Sequence, residues 1–206
     1  MAGSTSRVLI VSGPSGSGKS TLVQRLHEIP GLMFSVSSTT RPPRLTESPG
    51  KCYDFITEEE FRRRVGLGQF LEYAQVFGRH WYGTPRKQLD EARRAGLDLV
   101  LEIDVQGARQ VKEKLPEAIA VFIVPPSRQD LEQRLCSRGQ DTEEAIARRL
   151  ERARQEIASS AEYDFVIVND DLKRASDELR AITVASRCRT RDNQERLGKI
   201  LDSFGG

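Results

Sequence analysis

The sequence is short of several features that would narrow its role at once. It carries three cysteines, Cys52, Cys136 and Cys188, in 206 residues. They stand far apart, match no zinc spacing and leave one thiol over in any disulfide scheme, so reduced cysteines in a cytoplasmic setting are expected. The two histidines, His27 and His80, join no ligand or nucleophile cluster. No apolar run approaches the roughly 20 residues of a membrane-spanning helix. Met1 to Ser6 lack the charged and apolar regions of a secretory signal, so none is expected. Charge of one sign is also lacking: 32 Lys and Arg face 30 Asp and Glu, for a net charge of +2. A basic face for gripping nucleic acid needs clustered, unbalanced charge and is not expected. Internal repeats and low-complexity stretches are absent too.

What is present is an alternation of short apolar runs with helical patterns. Arg7 to Ser12 (RVLIVS) reads as a buried strand stopped by Gly13, and Lys19 to Glu28 as a helix ended by Pro30 and Gly31. A short strand near Met33 to Ser37 follows. Leu97 to Ile103, Ala118 to Val124 and Asp164 to Val168 read as further strands. Helices over Val105 to Leu115, Ser127 to Cys136 and Leu172 to Ala185 come after each of them. This order predicts an α/β fold, a parallel sheet flanked by helices. The rhythm changes between Thr40 and Gly96. There a capping box at Thr57 starts a short helix, and strands at Phe70 to Phe77 and His80 to Tyr82 flank a turn at Gly78. The expectation is one domain: a core of residues 7–36 and 97–185, an inserted α+β lobe over about 37–96, a mobile lid over about 137–150 and a tail, 187–206, without assigned function.

Gly13-Pro14-Ser15-Gly16-Ser17-Gly18-Lys19-Ser20, followed by Thr21, fits the phosphate-loop pattern. Its glycines let successive N–H groups turn inward around an anion, and the next helix points its N-terminus at the same place. Lys19 can reach the β- and γ-phosphates of a bound triphosphate and Ser20 can ligate magnesium. Motors, GTPases, ATPases and kinases share this loop, so other residues must decide the reaction. Arg41 and Arg44 flank two prolines that keep the segment extended, which suits bidentate phosphate binding, with a solvated basic loop as the equal alternative. Glu102 and Asp104 close a strand at the sheet edge where ligands bind in such folds. Arg134, Arg138, Arg148 and Arg149 flank the expected lid and could neutralise charge during phosphoryl transfer. Alternating Arg and Glu also make a solvated helix face, to which Arg148 and Arg152 are assigned.

The segments GPSGSGKS, SVSSTTRPPR, FLEYAQVFGRHWYGT, LEIDVQG, RLCSRGQDTEEAIARRL and VIVNDD stand in the order and spacing of the guanylate kinase family, which the chain resembles over about residues 7–185. The resemblance implies a P-loop NTPase core with a monophosphate-binding insert, and transfer of phosphate from ATP, with Mg2+, to GMP. It places Arg41, Arg44, Tyr53 and Tyr82 on the GMP phosphate and Glu72, Ser37 and Thr84 on guanine. Glu102 and Asp104 both fall in the GMP site, near the base and the magnesium waters, with Asp104 near the base amino group. Lys19, Arg41, Arg138 and Arg149 become the catalytic set, and Arg134 and Asn169 fall at the ATP base. Two departures stand out: Thr46 replaces a frequent glycine, and the loop from Gly78 to Tyr82 is longer by about one residue. The alternative is a guanylate-kinase-like protein-binding module without catalysis, against which intact Lys19 and Ser20 count. The expected partners are small molecules, with neither nucleic acid nor membrane, and a homodimer is left open.

Overall fold

The short apolar runs pair in parallel, as their alternation with helices requires. The structure, a computed structural model, describes residues 6–43, 53–76, 78–137 and 142–205. Its strands are β1 (Val8–Ser12), β2 (Leu32–Phe34), β3 (Ser38–Thr39), β4 (Asp54–Phe55), β5 (Phe70–Val76), β6 (His80–Pro85), β7 (Asp98–Glu102), β8 (Ile119–Val124) and β9 (Phe165–Val168). The α-helices are α1 (Lys19–Arg25), α2 (Glu58–Gly66), α3 (Lys87–Ala95), α4 (Val105–Lys114), α5 (Arg128–Cys136), α6 (Glu143–Ala158), α7 (Leu172–Ser186) and α8 (Gln194–Asp202).

The central sheet has the order β2-β7-β1-β8-β9, and every pairing in it is parallel. Side chains of β1 alternate across it. Leu9 and Val11 pack with Leu22 of α1 and Leu179 of α7, whereas Val8 and Ile10 pack with Leu89 of α3 and Val111 of α4. Each such fully buried aliphatic side chain contributes about 1.5–3 kcal/mol, so both faces of the sheet must be covered. Since β1 is central, its C-terminal end, carrying the phosphate loop, lies beside the end of β7, carrying Glu102 and Asp104.

A second sheet, β4-β3-β6-β5, is built from residues between 38 and 85. β5 and β6 form an antiparallel hairpin that sets Glu72 opposite Thr84 and Ala74 opposite Tyr82. Leu71 of β5 reaches the core cluster under α4, which ties this sheet to the first. Caps fix where helices begin. Thr57 accepts from the Glu60 N–H (3.2 Å), Ser127 from Asp130 (3.0 Å) and Asp104 from Gly107 (2.9 Å); each such cap is worth about 1 kcal/mol.

The expected strands and helices of the central sheet appear within one to three residues of their predicted ends. Four elements do not follow the sequence reading. β3 and β4 are two-residue strands, too short to show alternation. α3 buries only Gln88, Leu89 and Ala92 in nine residues, which leaves little apolar signal. The second half of the expected lid, from Glu143, lies within the 16-residue α6. Beyond α7, α8 buries none of its side chains.

Candidate active site

The phosphate loop is wedged between β8 and α5. Gly13 has φ 139°, and a Cβ there would lie 2.1 Å from the Ile123 carbonyl oxygen, so only glycine fits this close approach. The Lys19 ammonium donates to the carbonyls of Gly13 (2.7 Å) and Pro14 (2.9 Å), while Ser20 Oγ donates to Glu102 Oε1 at 2.5 Å. Arg134 and Asn169, expected at the ATP base, both hold the loop itself. Asn169 Nδ2 and Arg134 Nη1 donate to the Ser17 carbonyl at 2.8 and 3.4 Å, and Arg134 Nη2 donates to the Asn169 carbonyl at 2.7 Å.

In front of the loop lies a cleft of about 260 Å3. Gly13, Ser15 and Lys19 form its phosphate-loop wall, and Glu102 and Asp104 its floor. Opposite stand Glu72 and Tyr82 of the second sheet, with Ser37 and Tyr53 just before β3 and β4. Glu72, Ala74 and Val76 share the lining because alternate residues of a strand face one side. Arg149 enters the lining from α6. Arg41 is positioned by two of the tyrosines: its Nε donates to Tyr82 Oη (3.2 Å), and its guanidinium stands 5.5 Å from the Tyr53 ring centre. Arg44 and Arg138, with Thr46 and Cys52, lie outside the described residues.

One expectation needs correction, that for Arg152. Thr84, expected at the base, is fully buried behind Glu72, with its hydroxyl (2.6 Å) and its N–H (2.8 Å) both donated to Glu72 Oε1. The cross-strand pairing places it there, so it supports the carboxylate rather than facing the cleft. Arg152, assigned to a solvated face, lines the cleft together with Glu156. It contacts Glu156 Oε1 at 2.7 Å and stands 3.7 Å from Asp104 Oδ2. Positions 149, 152 and 156 share one helix face, a spacing legible in the sequence had the helix been extended past the lid.

Glu72 is 3% exposed, and burial pushes its carboxyl up to about 7, with Asp104 adding to the rise and the two Thr84 donors opposing it. Burial also raises the Glu156 carboxyl, against the pull of Arg152. Asp104 Oδ2 is buried with no hydrogen-bond partner among the described residues, although Oδ1 caps α4. The cleft thus pairs cations at the phosphate loop with desolvated acceptors across from it.

The raised carboxyl has a cost for folding. Glu72 ionises near 4.5 in an unfolded chain but keeps its proton to about 7 when folded. The unfolded state therefore binds fewer protons between those values, and stability falls as pH rises through that window. Glu72→Gln abolishes the ionisation. It is expected to raise Tm by roughly 5 °C at pH 8 and to leave it nearly unchanged at pH 4. Thermal melts at the two pH values check this; the same shift at both would show that charge burial is not its cause.

A parallel sheet whose central strand ends in a phosphate loop, which lines one cleft together with residues of the second sheet, defines a P-loop nucleotide-binding protein. The guanylate kinase family model matches residues 5–186. The chain is 50% identical to the guanylate kinase of Symbiobacterium thermophilum over 195 residues, covering 94% of this chain and 92% of that one. It is also 50% identical to the guanylate kinase of Neisseria meningitidis serogroup A over 198 residues, covering 95% and 94%. The crystal structure of guanylate kinase from Anaplasma phagocytophilum superposes with a TM-score of 0.77 at 36% identity, covering 92% and 90%. The chain belongs to the guanylate kinase family.

Proposed function

We propose that the chain transfers the γ-phosphoryl group of ATP to a phosphate oxygen of GMP, giving ADP and GDP. The observation that carries this reading is the buried Glu72 carboxylate, held by Thr84 and facing the phosphate loop across a single cleft. Guanine presents N1–H and an amino group on one edge, and a carboxylate accepts from both. Asp104 Oδ2 is a second acceptor for the amino group, and the Ser37 hydroxyl can donate to O6. Arg41, Tyr53 and Tyr82, with Arg44, receive the GMP phosphate.

The chemistry is displacement in line. An oxygen of the GMP phosphate bonds to the γ-phosphorus, the bond to the β–γ bridging oxygen breaks, and ADP leaves with that electron pair. The acceptor is already an anion, so no strong base is needed and catalysis comes from alignment and charge neutralisation. Lys19, with Arg41, Arg138 and Arg149, is assigned to the transferring group. The backbone of residues 13–21 receives the ATP phosphates, and Arg134 and Asn169 hold that loop. Ser20 and Glu102 offer adjacent hard oxygens, which fits Mg2+, an ion that takes few protein ligands besides phosphates and water. When bound, Mg2+ neutralises phosphate charge. The lobe over about 37–96 and the lid over about 137–150 are assigned the closure that excludes water. The setting that follows is purine nucleotide metabolism, recycling GMP in the cytoplasm. The test is ADP formation with ATP and each of GMP, IMP and AMP. GMP is the expected efficient acceptor, and equal use of AMP would overturn the reading.

A further inference from the structure

Gly107 sits in the first turn of α4, three residues past the Asp104 cap. Its backbone is ordinary helix, outside the left-handed range that favours glycine. Helix propensity alone would prefer alanine there. What stands in the way is Glu72: a Cβ built on Gly107 would lie 2.4 Å from Glu72 Oε2 and 3.0 Å from its Cδ. The carboxylate is therefore clamped from two sides, with Oε1 held by Thr84 and Oε2 seated in the space that Gly107 leaves open.

The residues on either side of Glu72 are gripped by the same helix. Gln110 closes on the main chain of Tyr73, with Oε1 accepting from its N–H (3.2 Å) and Nε2 donating to its carbonyl (2.7 Å). Lys114 Nζ donates to the Leu71 carbonyl. Positions 107, 110 and 114 fall on one face of a helix, and here they meet residues 72, 73 and 71 of β5. The helix that holds this stretch also carries Asp104 at its N-terminus. One rigid element thus fixes both carboxylates of the cleft relative to each other.

We infer that Gly107 and Gln110 are specificity-determining positioning residues. Gly107 provides the seat that aims the Glu72 carboxylate into the cleft, and Gln110 sets the height of β5 on α4. This rests on the reading of Glu72 as the group that meets guanine. Neither residue touches substrate. Both act through Glu72, so their loss must appear in base preference and not only in stability.

The experiment measures kcat and KM with GMP and IMP, KM for ATP, and Tm, for the parent chain and for Gly107→Ala, Gln110→Ala and Glu72→Gln. IMP keeps N1–H and O6 but lacks the amino group, so the GMP-over-IMP ratio reports the aim of the carboxylate. Displacing a positioned group by about 1 Å costs up to about 100-fold. Gly107→Ala is expected to raise KM for GMP about 10- to 100-fold and to cut the GMP-over-IMP ratio about tenfold, while KM for ATP changes less than about threefold. Gln110→Ala is expected to act in the same direction by about three- to tenfold, and it decides the matter alone if Gly107→Ala does not fold. If Glu72→Gln loses the preference but both positioning variants keep it and lower only Tm, the inference falls while the reading of Glu72 stands. If Glu72→Gln itself keeps the full preference, the reading of Glu72 falls and takes the inference with it.

Discussion

With AMP in place of GMP, kcat/KM is expected to fall by about 10⁴-fold or more at pH 8. Adenine carries an unprotonated N1 where guanine carries N1–H, and it has no amino group at C2. Both positions would confront acceptors, Glu72 and Asp104. The Glu72 carboxylate is 3% exposed, so water cannot easily replace the missing donors. A buried charged acceptor left unpaired costs more than an ordinary lost hydrogen bond, because its desolvation is no longer offset. Adenine's C6 amino group also replaces the acceptor O6 opposite Ser37. Burial, which pushes the Glu72 carboxyl up to about 7, adds a pH signature. Below that value the carboxyl holds a proton and can donate to adenine N1 while accepting less well from guanine. The GMP-over-AMP ratio should therefore shrink between pH 8 and pH 6. Phosphate ionisation is common to both nucleotides and largely cancels in the ratio. Comparable kcat/KM for AMP and GMP at pH 8 would remove Glu72 as the base reader.

Much of this was legible beforehand, for physical reasons that differ by element. β1, β7 and β8 announce themselves because strands covered on both faces carry continuous apolar runs, here VLIV, LVL and IAVFIV. The phosphate loop is legible because its chemistry is carried by backbone geometry that only a glycine-rich sequence can adopt. Glu72, Tyr53 and Tyr82 were recognisable only through resemblance, since a carboxylate or phenol on a strand looks the same whether it faces ligand or solvent. That Thr84 donates to Glu72 was not legible, because the contact depends on pairing β5 with β6 in the register that sets it opposite Glu72. Arg152 was misassigned because a run of alternating charges hides which face of α6 turns inward; Ile146, Leu150 and Ala153 reveal it only once they pack on Leu131 and Leu135 of α5. Gly107 was hidden for a subtler reason. A glycine inside a helix normally reads as a small loss of propensity, and its use appears only when Glu72, 35 positions earlier in the chain, arrives against it.

Lys19→Ala is expected to lower kcat by about 10²–10³-fold while changing GMP affinity by less than about threefold. The ammonium follows the phosphate loop directly and donates to the carbonyls of Gly13 and Pro14, so it is anchored beside the phosphate cradle rather than ranging through solvent. In the transition state charge spreads over the oxygens of the transferring group, and a fixed cation within reach stabilises it without reorganising at the moment of reaction. The groups assigned to GMP belong to the other wall of the cleft, which is why its binding should survive. The carbonyl contacts raise a competing account, in which Lys19 merely staples the loop. Three measurements separate the two. A staple would show itself as a lower Tm and weaker ATP binding with kcat at saturation preserved; a charge stabiliser would show itself as lost kcat with a Tm close to the parent's. Lys19→Met, which keeps most of the apolar stem but neither the charge nor the donors, should behave like alanine in kcat. Lys19 also helps hold the Glu156 carboxyl ionised, against burial that raises it, so the variant should lift the apparent titration of Glu156 further. Near-normal turnover in either variant, with the protein folded, would sink the assignment of Lys19 to the transferring phosphate.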